Sequence, residues 1–224
     1  MTDMRVFAQN QNVSRGPTGW KAARGLLDGT LATVPWVQAL IMEGYGLSAN
    51  YGNAANSATT VGTFGAGGID LDEFDLLQTL PASGSVGVIP ILFQPALEAV
   101  GSAAAVDLAL CYGSGGVIAA GISVTPTNLR PDSSITSVTT IGGLGDDGGT
   151  VITVGSFIWR DGTTALTGAT TEYPLHNLYW SIAKEGFAPV IVGASRQIAG
   201  FASGQASTGY ITYQWLEMPD EFFD

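Results

Sequence analysis

The 224-residue chain has one cysteine, one histidine and eight basic residues, of which only Lys21 and Lys184 are lysines. Each shortage removes a class of function. A lone Cys111 forms no internal disulfide and cannot supply the paired spacing of a zinc site. Within AVDLALCYG it reads as a small buried hydrophobe, not a nucleophile. Any serine or cysteine triad would have to use His176, which sits in EYPLHNLYW beside aromatics and a proline. It reads as a hydrogen-bonded packing or surface residue. The glycines around Ser114 in YGSGG lack the G-x-S-x-G spacing of a nucleophile elbow.

Basic charge is equally scarce. Eight basic against 19 acidic residues give a formal net charge of -11. Binding a phosphate backbone depends on a basic surface, so no nucleic-acid partner is expected. Charged residues make up 12% of the chain and hydrophobic residues 46%. That balance implies a surface rich in Ser, Thr, Gly, Ala and Asn, as on proteins that pack against neighbours. Long apolar runs are missing too. The longest, 99–122, is interrupted by Asp107 and five glycines and falls short of the roughly 20 apolar residues of a membrane span. MTDMRVFAQNQNVSRG lacks the apolar core of a signal peptide. Neither a membrane partner nor secretion is expected, and the NVS triplet at Asn12 is too short a pattern to change that.

What is present is glycine and strand signal. Thirty-one glycines argue against long helices. The one helical candidate is GWKAARGLLDG, 19–29. Strands are expected in TLATVPWVQALIMEGY around Pro35, and in VGVIPILFQP, where the proline predicts an edge or a bulge. AVDLALCYG and GVIAAGISVTP read as a hairpin-like pair around GSGG, and SSITSVTTIGG alternates. GTVITVGSFIWRDGT, FAPVIVGASRQIAGF and STGYITYQWLEMP complete about eight to ten strands, with turns every 8–15 residues. This is the pattern of an all-β antiparallel sandwich or barrel, not of alternating strands and helices. Residues 1–30 read as an N-terminal arm, 31–219 as one β domain, and 220–224 as an acidic tail with two exposed aromatics. Residues 46–67, small and polar, read as a long excursion.

The acidic clusters fail the tests for chemistry. GIDLDEFDLLQTLP carries Asp70, Asp72, Glu73 and Asp75. A calcium loop starting at Asp70 would need an oxygen ligand at its fifth position, glycine at its sixth and glutamate at its twelfth. Phe74, Asp75 and Pro81 stand there. Paired carboxylates of a glycoside hydrolase are formally available, and Asp70 and Asp72 would be the residues to test, but no substrate is indicated. The simpler reading turns Ile69, Leu71, Phe74, Leu76 and Leu77 inward and leaves the acids in water. GLGDDG, Gly143 to Gly148, matches G-x-G-x-x-G, but Asp146 and Asp147 would repel phosphate and a strand, not a helix, follows. It reads as a turn, with a calcium site on the two aspartates as the remote alternative. No catalytic residue, cofactor or metal ligand is assigned. Trp159, Tyr210, Tyr213 and Trp215 stand at alternating strand positions, with the core as their default place and an exposed glycan-binding patch as the alternative.

The order of segments adds a resemblance. VPWVQALIMEGYGLSANYGN is followed by TTVGTFGAGGIDLDEFDLLQTLPASGSVGVIPILFQPAL, by VTPTNLRPDSS, and finally by APVIVGASRQIAGFASGQASTGYITYQWLEMP. The motifs are E-G-x-x-x-S-A-N, T-F-G-x-G-G-I-D, L-P-x-x-G before I-P, P-x-N-L-R and a closing W-x-E-x-P. Across residues 34–219 this resembles the single jelly-roll, capsid-associated structural proteins of bacteriophages. The resemblance implies a jelly-roll sandwich, no enzymatic activity, and assembly with copies of itself or with the major capsid protein. The scarcity of basic residues favours an outer decoration or cement position on the virion. A homotrimer is the first expectation. A single jelly-roll shell subunit, and a receptor- or glycan-binding domain of a tail fibre or spike, are the alternatives.

Overall fold

The computed structural model describes residues 35–51, 69, 71, 74–100, 107–117, 123–143, 151–162, 178–203 and 207–223. The arm 1–30, the helical candidate 19–29, residues 52–67 of the excursion, and Asn12, Asp70, Asp72, Glu73, Asp146, Asp147 and His176 lie outside them.

The elements in chain order are α1 (Trp36–Met42), β1 (Gly46–Tyr51), β2 (Leu76–Thr79), β3 (Val86–Val100), β4 (Asp107–Ser114), β5 (Thr127–Asn128), β6 (Thr140–Gly143), β7 (Thr153–Gly162), β8 (Trp180–Ser181), α2 (Ile182–Glu185), β9 (Ile191–Val192), β10 (Gln197–Ser203) and β11 (Ser207–Pro219), followed by a 3-10 turn, Asp220–Phe222. Two antiparallel sheets form. The first has the order β5-β1-β11-β3-β8, with β9 also on β3; the second has β6-β2-β10-β4-β7. The protein is an all-β sandwich, as the strand spacing predicts.

The core lies between the sheets and follows the two-residue period of the strands. In the first sheet Ala49, Tyr213, Phe93 and Trp180 stand in register across four strands. All four are buried. The second sheet meets them with Leu76, Leu108, Leu110, Trp159, Ile198 and Ala202. Phe93 packs edge-on against Trp159, ring centroids 6.3 Å apart. Its ring also occupies the space above Gly200 of β10, where a Cβ would overlap Phe93 Cε2 and lie 2.7 Å from Cζ. Gly200 is therefore a seat for the ring.

Each sheet carries a smaller apolar layer on its outer face. Over the second sheet, Phe74 and Ile152 cover Leu77, Ala109, Cys111, Ala199 and Phe201, with Ile69 and Leu71 packed alongside. The apolar residues of the acidic stretch are thus inward, but on two faces: Leu76 belongs to the central core and Ile69, Leu71, Phe74 and Leu77 to this outer layer. Over the first sheet, α1 and the C-terminal turn cover Ile89, Leu216 and Met218.

Four local expectations are corrected. Residues 36–42, read as strand, form α1. Pro35 fixes the backbone at the helix start, Gln38, Ala39, Leu40 and Met42 are good helix formers, and Leu40 and Ile41 dock on the first sheet. The supposed excursion begins with strand β1, whose alternate residues Leu47, Ala49 and Tyr51 are buried. β4 does not pair with the segment after GSGG; its neighbours are β10 and β7. Finally, Phe222 and Phe223 of the tail are half-buried rather than exposed, because they pack on the outer layer of the first sheet.

The proline expectation divides. β3 is interior, not an edge, but its ladder with β11 shifts register between Gln214 and Trp215, opposite Leu92 and Pro90. On the other side β3 is paired at Gly87–Val88 and at Leu92–Phe93. Pro90 and Pro95 fall outside both pairings, where a missing N–H costs no bond on that side.

Gly200→Ala is expected to push Phe93 off its seat and destabilise the fold by about 1–3 kcal/mol, as overpacking of a dense core does. Chemical denaturation, with the midpoint shifted and the slope unchanged, is the check.

Candidate functional site

The acidic stretch resolves first. Asp75 is fully buried, not solvated. β2 pairs with β10 from Thr79–Gln197 to Leu76–Gly200. Beyond that point the Asp75 amide donates to Gly200 O, and Asp75 Oδ2 accepts from the amide of Ala202. The side chain continues the ladder where the strand itself has ended. Its charge also reinforces a local effect: burial first, and Asp75 second, hold the Tyr51 hydroxyl above its ordinary pKa of 10.0.

The other sequence candidates are placed as follows. Cys111 is buried in the outer layer of the second sheet, and burial pushes its thiol up to about 12, partly offset by a backbone hydrogen bond with Ala199. Ser114 ends β4, opposite Thr153. The glycines after it are held by Gln197, whose Oε1 accepts from Gly116 N at 2.8 Å and whose Nε2 donates to Gly116 O at 2.6 Å and Thr79 Oγ1 at 3.1 Å. Trp159, Tyr213 and Trp215 are core and Tyr210 is half-buried. Among the described residues no three His, Cys, Asp or Glu side chains are grouped to hold a metal, and no helix is long and apolar enough to cross a membrane.

The densest polar constellation was not singled out in the sequence. Glu217 points inward from β11, two residues beyond Trp215 and four beyond Tyr213 on the same face, and is buried. Its Oε1 accepts from Val138 N at 2.7 Å. Its Oε2 accepts from Ser137 Oγ at 2.7 Å, Trp215 Nε1 at 3.1 Å and Thr139 Oγ1 at 3.2 Å. Thr139 Oγ1 in turn accepts from Gln78 Nε2, and Gln78 Oε1 accepts from Tyr213 Oη, both at 2.9 Å. One network thus runs from β2 in the second sheet through the 137–139 segment to β11 in the first. It satisfies a buried carboxylate with four donors, the condition under which such a charge is tolerated. It also explains why SSITSVTTIGG, read as a strand, is regular only from Thr140: the backbone of Val138 is bonded to a side chain instead of a ladder. The signal was available in the two-residue period of ITYQWLE, which puts Glu217 on the core face.

A second constellation holds the P-x-N-L-R loop. Asn128 Nδ2 donates to Gly44 O at 2.7 Å and Ile135 O at 2.9 Å. Arg130 grips Asp132 with Nε and Nη2 at 2.8 and 2.9 Å and reaches Met42 O, at the end of α1, with Nη1 at 2.9 Å. The guanidinium beside Asp132 lowers that carboxyl below its ordinary value. The pair is exposed, so its value lies in geometry: it ties the loop to the carbonyl end of α1.

These groups position backbone. Several large apolar side chains face outward. Phe157 is exposed on β7, with Arg160 stacked over its ring at 5.1 Å. Phe187, Val190 and Val192 are exposed around β9, and Trp36 and Met42 on α1. No protein-family model, curated protein or solved structure matches the chain.

Glu217→Ala is expected to cost at least about 2 kcal/mol, since it leaves buried donors unpaired. Glu217→Gln should cost less, because one oxygen keeps its donors while the amide opposes Val138 N. Thermal denaturation of both variants checks the order. A pH dependence follows from the buried hydroxyls and thiol. Tyr213 is held well above its ordinary 10.0 by burial and then by Glu217, and Cys111 rises from 9.0 to about 12. Both are neutral in the fold and ionise more easily when unfolded. Their stabilisation is complete below pH 9, and is lost as pH rises from 9 toward 12. The melting temperature should fall across that window, and less steeply in Tyr213→Phe.

Proposed function

We propose that this chain is a structural protein of a bacteriophage particle: a jelly-roll decoration or cement protein on the outer capsid surface, which self-associates, with a trimer as the expected assembly, and binds the major capsid protein. The observation that carries this reading is the strand order. The chain alternates between sheets from β1 to β4, stays in the second sheet for β7, returns to the first for β8 and β9, and finishes with β10 in the second and β11 in the first. Stripped of β5 and β6, the sheets are β1-β11-β3-β8/β9 and β2-β10-β4-β7, an order that supports reading the sandwich as a jelly roll of two four-strand sheets.

The additions support the assembly part of the reading. β5 and β6 come from the stretch between β4 and β7, and they cover the outer edges of β1 and β2. β5 pairs with Leu47 and Ser48 of β1, and β6 with all four residues of β2. The opposite side, formed by β7 and by the short β8 and β9, carries Phe157, Phe187, Val190 and Val192. Exposed apolar side chains such as these suit an interface core, and the acidic, lysine-poor composition suits an outer position.

The purified protein is expected to sediment as a trimer and to bind phage heads. Phe187→Glu should weaken head binding or trimerisation at least about ten-fold, as loss of an apolar anchor does, without lowering the melting temperature. A monomer that ignores phage heads would remove the proposal.

A further inference from the structure

The buried polar network places a hydroxyl, a carboxylate and a phenol around one amide. Gln78 of β2 shares the core face with Leu76 and Leu80 and is fully buried. Its Oε1 accepts from Tyr213 Oη and its Nε2 donates to Thr139 Oγ1, both at 2.9 Å. Thr139 Oγ1 donates in turn to Glu217 Oε2 at 3.2 Å. That bond fixes the orientation of the amide. The hydroxyl proton is directed at the carboxylate, so the group facing the hydroxyl oxygen is the amide nitrogen, a donor. Thr139, Tyr213 and Glu217 are buried as well, which shields the cluster from bulk solvent. Ser137 Oγ and Val138 N, each at 2.7 Å, hold the carboxylate in place.

Each contact has a chemical meaning. A hydroxyl beside a general base is an activated nucleophile. A donor on a carbonyl oxygen stabilises the charge that attack on the carbonyl creates there. Tyr213 keeps its proton for that purpose, because burial, and then Glu217, hold it well above its ordinary 10.0. The terminal torsion of a glutamine is soft, so the amide plane can turn its face to Oγ1 without moving either strand.

We propose that Thr139 and Gln78 join in an intramolecular ester, with loss of ammonia, linking β2 to the 137–139 segment. Thr139 Oγ1 passes its proton to Glu217 and bonds to Gln78 Cδ. The tetrahedral carbon carries its negative charge on Oε1, against Tyr213 Oη. The Cδ–Nε2 bond then breaks, the nitrogen takes the proton from Glu217, and ammonia leaves. Glu217 returns to its starting carboxylate, nothing is oxidised or reduced, and the product is the Cδ–Oγ1 ester. An amide is a poor electrophile in water, but groups fixed in this way act at effective concentrations of roughly 10⁵–10⁸ M. The link closes a loop between residues 61 positions apart. The inference goes beyond the particle role and does not rest on it.

The full-length protein, kept in neutral buffer for several days and shown to be folded by circular dichroism, is denatured and digested with pepsin at acid pH, which preserves an ester. Cuts at residues such as Phe93 separate the two positions. Mass spectrometry is expected to find one linked pair of peptides, carrying Gln78 and Thr139 and lighter than their sum by one ammonia. Alkaline hydrolysis should release the two peptides with the Gln78 amide converted to a carboxylate. Thr139→Val should give no linked pair, Thr139→Ser should keep it, and Glu217→Gln should slow linkage at least about 100-fold. A folded wild-type chain that yields only free peptides overturns the proposal. So does an undiminished linked pair in Thr139→Val, or an unchanged rate in Glu217→Gln. Where a variant does not fold, the wild-type digest decides the question by itself.

Discussion

The close approach of Phe93 to Gly200 sets the geometry at the centre of the molecule. A phenyl ring from one sheet rests on the bare backbone of the other, and the row Ala49, Tyr213, Phe93, Trp180 runs through it across the first sheet. Register in an antiparallel sheet is fixed wherever one face is buried, since a one-residue slip would turn the whole row to the opposite face. Through β11 the same register places Trp215 and Glu217 inward, and through β10 it places Ala199 and Phe201 outward against Cys111 and Phe74. The two outer layers and the polar network depend on that alignment.

Among the described residues of this sparsely charged chain two acids are buried, and both replace backbone. Asp75 lengthens the β2–β10 ladder past the end of β2. Glu217 collects the donors of a segment that has no strand to pair with. Gln78 and Gln197 act similarly with neutral amides. Irregular segments can cross a dry region only when their backbone groups find such partners. In this protein, then, the inward-facing acids among the described residues belong to the architecture.

The two lateral sides of the sandwich differ. On one, β5 pairs with Leu47 and Ser48 of β1 and β6 pairs with β2; on the other, β7 and the short β8 and β9 are the last strands, with Phe157 and Val192 exposed on them and Phe187 and Val190 exposed between β8 and β9.

The all-β class and the strands β3, β4, β7, β10 and β11 were legible in the sequence because alternation and turn residues are local signals, and so was the burial of Cys111, Trp159, Tyr213 and Trp215. The sequence alone also set the shortage of basic charge and of histidine and cysteine, which narrows the available chemistry whatever the fold. Other features were settled by tertiary contact. The 36–42 segment is a helix because its Leu40 and Ile41 find a sheet to cover, and the same residues read equally well as a strand until that sheet exists. The second alternating run, 133–143, loses half its strand to Glu217, a partner 78 to 80 residues away. Asp75 reads as solvated because no local pattern announces that the amide of Ala202, 127 residues on, will need an acceptor. Periodicity reports which residues share a face; only the folded chain decides which distant backbone group that face will meet.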